Sequence, residues 1–399
     1  MSDKRRDHKG RVLRAGESQR TDLRYEFRYK DARGKRRSIY SMDLKELRAK
    51  EEEVLSAAKA GVDYAAGQIT VLELVERYTS LKNGVRYNTK VGYGFVMGIL
   101  RKEDFGYRMI NTIKTSDAQL WLIKLQMDGK GYSTIQSVRG VLKPAFQMAY
   151  NEDVIRKNPF DFKLADVVVN DSQHRVALTP EQLYTWMEFI RTDRTYKKYY
   201  DEFVVLLGTG MRVSEFCGLT KSDIDFENRR IQVDHQLVRE RGGKYYVEKT
   251  KTEAGRRFIP MTPEVYESLK RIVAKRKPLK VEHVIDGYSG FILLDKNDKP
   301  KVALHIENEM RWAMHKYKLL HPDKPLPHIT PHVFRHTFCT NMATAGMNVK
   351  GLQYLMGHSD AEVTMNVYTH ASYDFAAEEL SRIVQFPRGE NAKRDGTMA

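Results

Sequence analysis

The stretch 330–370, TPHVFRHTFCTNMATAGMNVKGLQYLMGHSDAEVTMNVYTH, sets reactive groups at fixed intervals: His332-x-x-Arg335, then Gly357-His358-Ser359, then Tyr368 ten residues after His358. The first pair falls on a predicted helix, where i and i+3 share a face and can address one anion. His336 stands at i+4 from His332, the spacing of a zinc pair. The metalloprotease pattern, however, needs a glutamate directly after the first histidine, and Val333 stands there. His336 is therefore read as a structural helix residue. His332 is read as a proton acceptor or hydrogen-bond donor, and His358 as lying at a junction between two short helices. A tyrosine has a pKa near 10, so at pH 7 only roughly one phenol in a thousand is ionised. Cationic neighbours must supply the rest of the activation.

Those neighbours lie upstream. In TGMRVSEF (209–216) Arg212 follows a glycine-bearing turn, with Glu215 one helical turn on and able to orient Arg335 or His332. In TKTEAGRR (250–257) Lys251 sits in a turn between two predicted strands, among Lys244, Lys249, Arg256 and Arg257. Attack on a phosphodiester adds negative charge at phosphorus, and a guanidinium stabilises it with planar, paired donors that stay protonated. Arg212 and Arg335 take that role. A lysine on a hairpin tip can protonate a leaving oxygen; Lys251 is preferred, and Lys249 is the rival.

The order and spacing of Arg212, Lys251, His332, Arg335, His358 and Tyr368 resemble the catalytic domain of tyrosine recombinases, the phage-integrase family. With its basic N-terminus the whole chain resembles the integrases of conjugative transposons. The resemblance implies that Tyr368 is the nucleophile, Lys251 the hairpin lysine that protonates the leaving 5′ oxygen, and His358 a donor to the scissile phosphate. It implies a 3′-phosphotyrosyl intermediate that conserves the phosphodiester energy without metal or other cofactor. It also implies a homotetramer on double-stranded DNA with core and arm sites, aided by an accessory excision factor or a host DNA-bending protein. Tyr373 is a second phenol nearby, but Thr364-x-x-x-Tyr368 and the Tyr-Thr-His context select Tyr368. The segment FAAEELSRIV (375–384) can form an amphipathic helix that docks in cis or on a neighbouring protomer.

Composition points the same way. The 399 residues carry a net charge of +16, which favours a polyanionic partner through counterion release. Anionic membrane is the competing partner, but no run of about 18 apolar residues and no signal-peptide core is present. Cys217 and Cys339 fall in predicted core helices and suggest no disulfide framework. A bacterial cytoplasmic, nucleoid-associated location is expected. No GxxxxGK[ST] loop and no Cys-x-x-Cys pair is present, so nucleotide hydrolysis and structural zinc have no foothold. The segment DKNDKP (295–300) lacks the glycine and terminal glutamate of an EF-hand loop and reads as a hairpin turn.

The length predicts several domains and a multidomain α+β fold. Residues 1–65 are expected to form a small β-sheet plus a helix. Residues 1–40 hold fourteen Lys/Arg against six Asp/Glu, a net of +8. Leu23, Tyr25, Phe27 and Tyr29 alternate with charged residues as a half-buried strand does, and DARGK (31–35) turns into RRSIYS (36–41). Asp43 and Glu46 open a helix with Leu44, Leu47, Val54, Leu55 and Ala58 on one face, which Gly61 ends. This domain resembles the family's arm-site DNA-binding domain, with Arg24, Arg28, Lys30, Arg36 and Arg37 as DNA contacts. Residues 68–160 read as a helical core-binding domain bearing exposed Lys82, Arg86, Lys90, Arg101 and Lys102, with Lys90 as a DNA contact. Residues 161–175 read as a linker. Residues 173–389 read as a mixed, mainly α catalytic domain with a C-terminal helix. A DNA-binding architectural or regulatory protein without strand exchange is the rival from another class, and a type IB topoisomerase or resolvase the rival with the same chemistry. A complete set of reactive groups argues against the first, and the basic N-terminal domain against the second.

Overall fold

The computed structural model describes residues 5–30, 34, 36–59, 68–172, 177–250, 253–359 and 365. The chain divides into two compact units, 1–173 and 174–399.

The first unit begins with a three-stranded antiparallel sheet of β1 (Glu17–Gln19), β2 (Tyr25–Lys30) and β3 (Arg36–Ser41), in that order, followed by α1 (Leu44–Lys59). Tyr25 and Phe27 of β2 face Ser41 and Ile39 of β3 and pack on Leu44 and Leu47 of α1, so strand alternation and helix face meet in one small apolar cluster. Asp43 caps α1, its Oδ1 accepting the N–H of Lys45 at 2.7 Å and of Glu46 at 3.0 Å, but the reciprocal half of the capping box expected with Glu46 is taken by Ser41: the Asp43 N–H donates to Ser41 Oγ at 3.1 Å and the Glu46 carboxylate accepts from Ser41 Oγ at 2.6 Å. Leu23, expected to begin the strand, lies instead in the preceding turn at φ 66° and is exposed. Leu55, expected on the apolar face of α1, is exposed as well. Gly61 lies outside the described residues.

Four helices follow: α2 (Val71–Ser80), α3 (Tyr87–Leu100), α4 (Thr115–Met127) and α5 (Tyr132–Asn151). Thr70 and Glu73 close the start of α2 reciprocally, the Thr70 Oγ1 accepting the Glu73 N–H at 3.2 Å and the Glu73 carboxylate accepting the Thr70 N–H at 2.7 Å. Val71, Leu74 and Val75 pack with Ile135, Val138 and Leu142 of α5 in a second hydrophobic cluster. The expected linker is in large part bound to this cluster, because Leu164 and Val168 are buried in it. The helical domain therefore reaches about Val168.

The second unit contains α6 (Pro180–Thr192), α7 (Tyr200–Thr209), α8 (Val213–Gly218), β4 (Ile224–Asp225), β5 (Arg230–Val233), β6 (His235–Arg239), β7 (Tyr245–Lys249), β8 (Arg257–Pro260), α9 (Pro263–Lys275), α10 (Ala303–Leu320), α11 (Pro331–Thr344) and α12 (Val349–Met356). The extended run that β5 and β6 make is divided at Asp234: β5 pairs with β4 and β8, whereas β6 pairs with β7 as a hairpin. Three helices start on Thr-Pro. The hydroxyls of Thr179, Thr262 and Thr330 accept the N–H of Gln182, Val265 and Val333, and each proline occupies the first turn, where no backbone donor is needed. The core gathers Trp186, Phe203, Phe216, Ile306 and Phe334, and both cysteines are buried and free. In DKNDKP the Asp295 carboxylate accepts the N–H groups of Asn297 and Lys299, closing the expected turn. Among the described residues no helix is long and apolar enough to cross a membrane.

Candidate active site

The predicted site residues arrive on different elements. Arg212 immediately precedes α8; its N–H donates to Glu215 Oε2 at 2.9 Å and its Nη1 to Glu215 Oε1 at 2.8 Å. Arg335 sits one turn into α11, buried, after exposed His332. Half-buried His358 follows α12, and half-buried His336 lies further along α11. Lys251 and Tyr368, with Tyr373 and the 375–384 segment, lie outside the described residues.

Two left-handed glycines fix this arrangement. Gly210, at φ 60°, ends α7 and packs so closely on the Phe338 ring that a Cβ would collide with it; its carbonyl accepts from Arg335 Nη1 at 2.7 Å. Gly357, at φ 61°, closes α12, and a Cβ there would lie 2.9 Å from Arg257 Nη1 and 3.3 Å from the Ala254 carbonyl oxygen. The glycine before His358 is thus demanded twice, by its backbone angle and by the arginine beneath it.

That arginine is one of several basic residues around Lys251, and nothing in its immediate sequence distinguishes it. In the fold Arg257 and Ile259 are the inward residues of β8, and the Arg257 side chain is 0% exposed. Its Nη2 donates to Glu215 Oε2 at 2.8 Å, and its Nε donates to the Leu355 carbonyl at 2.7 Å. Both Glu215 oxygens are therefore taken by Arg212 and Arg257, not given to Arg335 or His332 as the sequence suggested. Strand alternation was the available signal, since an inward arginine requires a buried acceptor.

Three successive carbonyls at the end of α12 are each held by a different arginine: Leu355 by Arg257, Met356 by Arg335 Nη2 at 2.5 Å, and Gly357 by Arg212 Nη2 at 3.3 Å. A helix C-terminus, with its partial negative charge, suits them. Among the described residues, three guanidiniums meet here with the one carboxylate of Glu215, a local excess of two positive charges. Burial pushes the Glu215 carboxyl up, but Arg257 and Arg212 together outweigh it and hold the group below its usual range. Burial, reinforced by Arg212, draws Arg335 down to about 9. Burial and then Arg335 and Arg212 draw His358 down to about 4, so at neutral pH its ring is uncharged and offers one N–H and one lone pair. An entering anion would relieve both groups.

Among the described residues, one cluster elsewhere brings metal-type ligands together, Asp223, Asp234 and His235. His235 Nε2 donates to the Gly218 carbonyl at 2.8 Å and Nδ1 lies 2.6 Å from Asp234 Oδ1. Both ring nitrogens are engaged, so this is a hydrogen-bonded core histidine.

In the N-terminal sheet Glu26, Arg28 and Lys30 share a face with Tyr40, Ser38 and Arg36, their partners in register, whereas Arg37 pairs with Tyr29 on the opposite face. Buried Glu26 accepts from Arg28 at 2.9 Å, Ser38 at 2.8 Å and Tyr40 at 3.2 Å, and Arg28 foremost holds its carboxyl down to about 2. Arg28 nevertheless stays 71% exposed. Arg24 is exposed beside Asp22, and Lys90 is exposed on α3.

Comparison with known proteins matches residues 177–374 to the phage integrase family and residues 1–57 to the DNA binding domain of Tn916 integrase. The transposase from transposon Tn1545 of Streptococcus agalactiae is 44% identical over 397 residues, covering 96% of this chain and 97% of the relative. The transposase from transposon Tn916 of Enterococcus faecalis is equally similar, at 44% identity over the same shares. Among solved structures, a fragment of the Tn1549 transposon integrase in complex with a circular intermediate DNA superposes with a TM-score of 0.76 at 43% identity, covering 79% of this chain and 100% of that fragment.

Proposed function

The chain belongs to the phage integrase family, as a tyrosine recombinase of the conjugative-transposon type, and from that premise we propose how its own residues cut and rejoin DNA to integrate and excise a mobile element. The observation that carries the proposal is the excess of positive charge that, among the described residues, Arg212, Arg257 and Arg335 hold around Glu215, next to a neutral histidine. Such a site calls for an anion, and a scissile phosphate supplies it.

On this reading Arg212 and Arg335 take the non-bridging oxygens and exchange their carbonyl contacts at the end of α12 for phosphate. His358 donates its ring N–H to the same group. The Tyr368 oxygen forms a bond to phosphorus as the bond to the 5′ oxygen breaks. The phenol proton passes to His332, and Lys251 protonates the leaving 5′ oxygen. A 5′ hydroxyl from the partner duplex then reverses the sequence, and the phosphodiester energy is retained throughout. Two duplexes present four strands and each chain carries one nucleophile, so complete exchange takes four protomers. Accessory factors that favour excision or bend DNA, and a nucleoid location, belong to the same proposal. A protein that only shapes DNA has no use for three arginines gathered around one buried carboxylate.

Lys251 is tested by its leaving group. A 5′-phosphorothiolate departs with little protonation, so Lys251→Ala is expected to cleave ordinary DNA slowly and to regain most of its rate on the sulfur substrate. If Lys249→Ala is the variant rescued, the acid lies two residues upstream.

The exposed cations Arg28, Lys30 and Arg36 support docking of the N-terminal sheet on a second DNA site, with Arg24 and Arg37 adding phosphate contacts, while Lys90 on α3 serves the core site. Its apolar cluster is separate from that of the helical domain, so a fragment beginning near residue 68 is expected to cleave a core site while losing arm-site binding. Its salt slope should fall by about 0.9 for each phosphate that is no longer neutralised. An unchanged slope on every site would remove the arm-binding role.

A further inference from the structure

The structure assigns to Arg257 the positioning of Arg212 and His358 for strand cleavage. It does so by holding Glu215 on one side and the end of α12 on the other. The inference rests on the cleavage reading above and adds a residue to it. A fully buried guanidinium is costly to desolvate and persists only where its donors are met. Here Nη2 and Nη1 reach Glu215 at 2.8 and 3.4 Å, Nε reaches the Leu355 carbonyl at 2.7 Å, and Nη1 also reaches the Gly255 carbonyl at 3.1 Å. Each partner leads to a reactive residue: Glu215 to Arg212, Leu355 to His358 three residues on, and Gly255 to Lys251 four residues before it.

The contact with Glu215 also decides how Arg212 is held. Glu215 Oε2 is occupied by Arg257 Nη2 and by the Arg212 backbone N–H, which leaves Oε1 to meet the Arg212 guanidinium through Nη1 alone. Nη2 of Arg212 therefore points toward Gly357, at the turn that carries His358. Without Arg257, Glu215 can turn to grip the Arg212 fork with both oxygens, a geometry that carboxylates favour, and draw it off the phosphate. Arg257 touches no substrate in this scheme. It keeps the carboxylate from capturing the guanidinium that does.

The test measures single-turnover cleavage of a suicide core-site duplex, affinity for the same duplex and thermal melting, with the full chain. Arg257→Lys keeps the charge but has no fork to span Glu215 and Leu355. It is expected to cleave roughly 100-fold more slowly, the scale of losing one aligned oxyanion donor. Affinity should change by less than about threefold, because contacts along the DNA backbone carry it. Combined with Arg212→Ala, the second substitution should cost far less than it does alone, since the arginine it chiefly serves is gone and only its hold on the end of α12 remains. If Arg257→Lys fails to melt cooperatively, Arg257→Gln takes its place, with Arg212 still neutralising Glu215. Wild-type cleavage rates, parallel losses of binding and cleavage, or losses that multiply in the double variant would each overturn the assignment. A wild-type chain that forms no adduct in this assay would instead sink the cleavage reading itself.

Discussion

Arg212→Ala is expected to slow strand cleavage by a factor on the order of 10²–10³, the usual loss for one oxyanion donor, while affinity for the core duplex moves far less. The separation of the two effects follows from the site. On the proposed mechanism Arg212 is one contact among many for DNA, but its guanidinium meets the charge that grows at phosphorus. The fold should survive the substitution, because Glu215 keeps Arg257 at 2.8 Å and no buried carboxylate is stranded. Arg212→Lys preserves the charge and loses the geometry: one ammonium cannot serve Glu215, the Gly357 carbonyl and a phosphate as the fork does. Cleavage should stay impaired in the lysine variant. Equal losses of binding and cleavage in both variants would reduce Arg212 to a docking residue.

Tyr368→Phe has the larger expected effect, complete loss of the covalent protein–DNA adduct with core-site binding retained. Phenylalanine keeps the ring and removes only the attacking oxygen, so whatever packing the ring provides is preserved. In the sequence around it Tyr373 is the second phenol, and so the residue to watch. An adduct that persists in Tyr368→Phe on a denaturing gel would transfer the nucleophile there.

Much of the framework was legible because it rests on local chemistry. The helix-opening Asp43 and the DKNDKP turn could be read from side chains that bond neighbouring backbone, and both occur as expected. Tertiary demands were harder to see. β1 has no apolar alternation, since its buried residue is Glu17, neutralised by Arg48 from α1 at 2.9 Å. Leu23 matched the strand period but adopts a left-handed turn conformation, a choice set by the Arg20–Arg24 hydrogen bond and not by hydrophobicity. The segment after Pro159 looked like a linker because Asn158-Pro159 interrupts the helical pattern, yet Leu164 and Val168 bind it to the helical core. Within the site, Arg212, Arg335 and His358 were identified by spacing and the fold brings them to the end of α12. Arg257 was hidden because a buried arginine in a run of exposed basic residues differs from them only in strand phase. Glu215 was found but matched to other partners, because the sequence does not show that Arg257 of β8 reaches Glu215 of α8.

The central claim is that Tyr368 attacks a DNA phosphate held by these arginines, and peptide mapping of a trapped adduct tests it most directly. The full-length chain is incubated with a suicide core-site duplex and digested with protease. Mass spectrometry then identifies the peptide linked to DNA. The account predicts a 3′-phosphotyrosyl link on Tyr368, with a free 5′ hydroxyl on the released strand. A link to Tyr373 or to any other residue, or a 5′-phosphotyrosyl polarity, would contradict it.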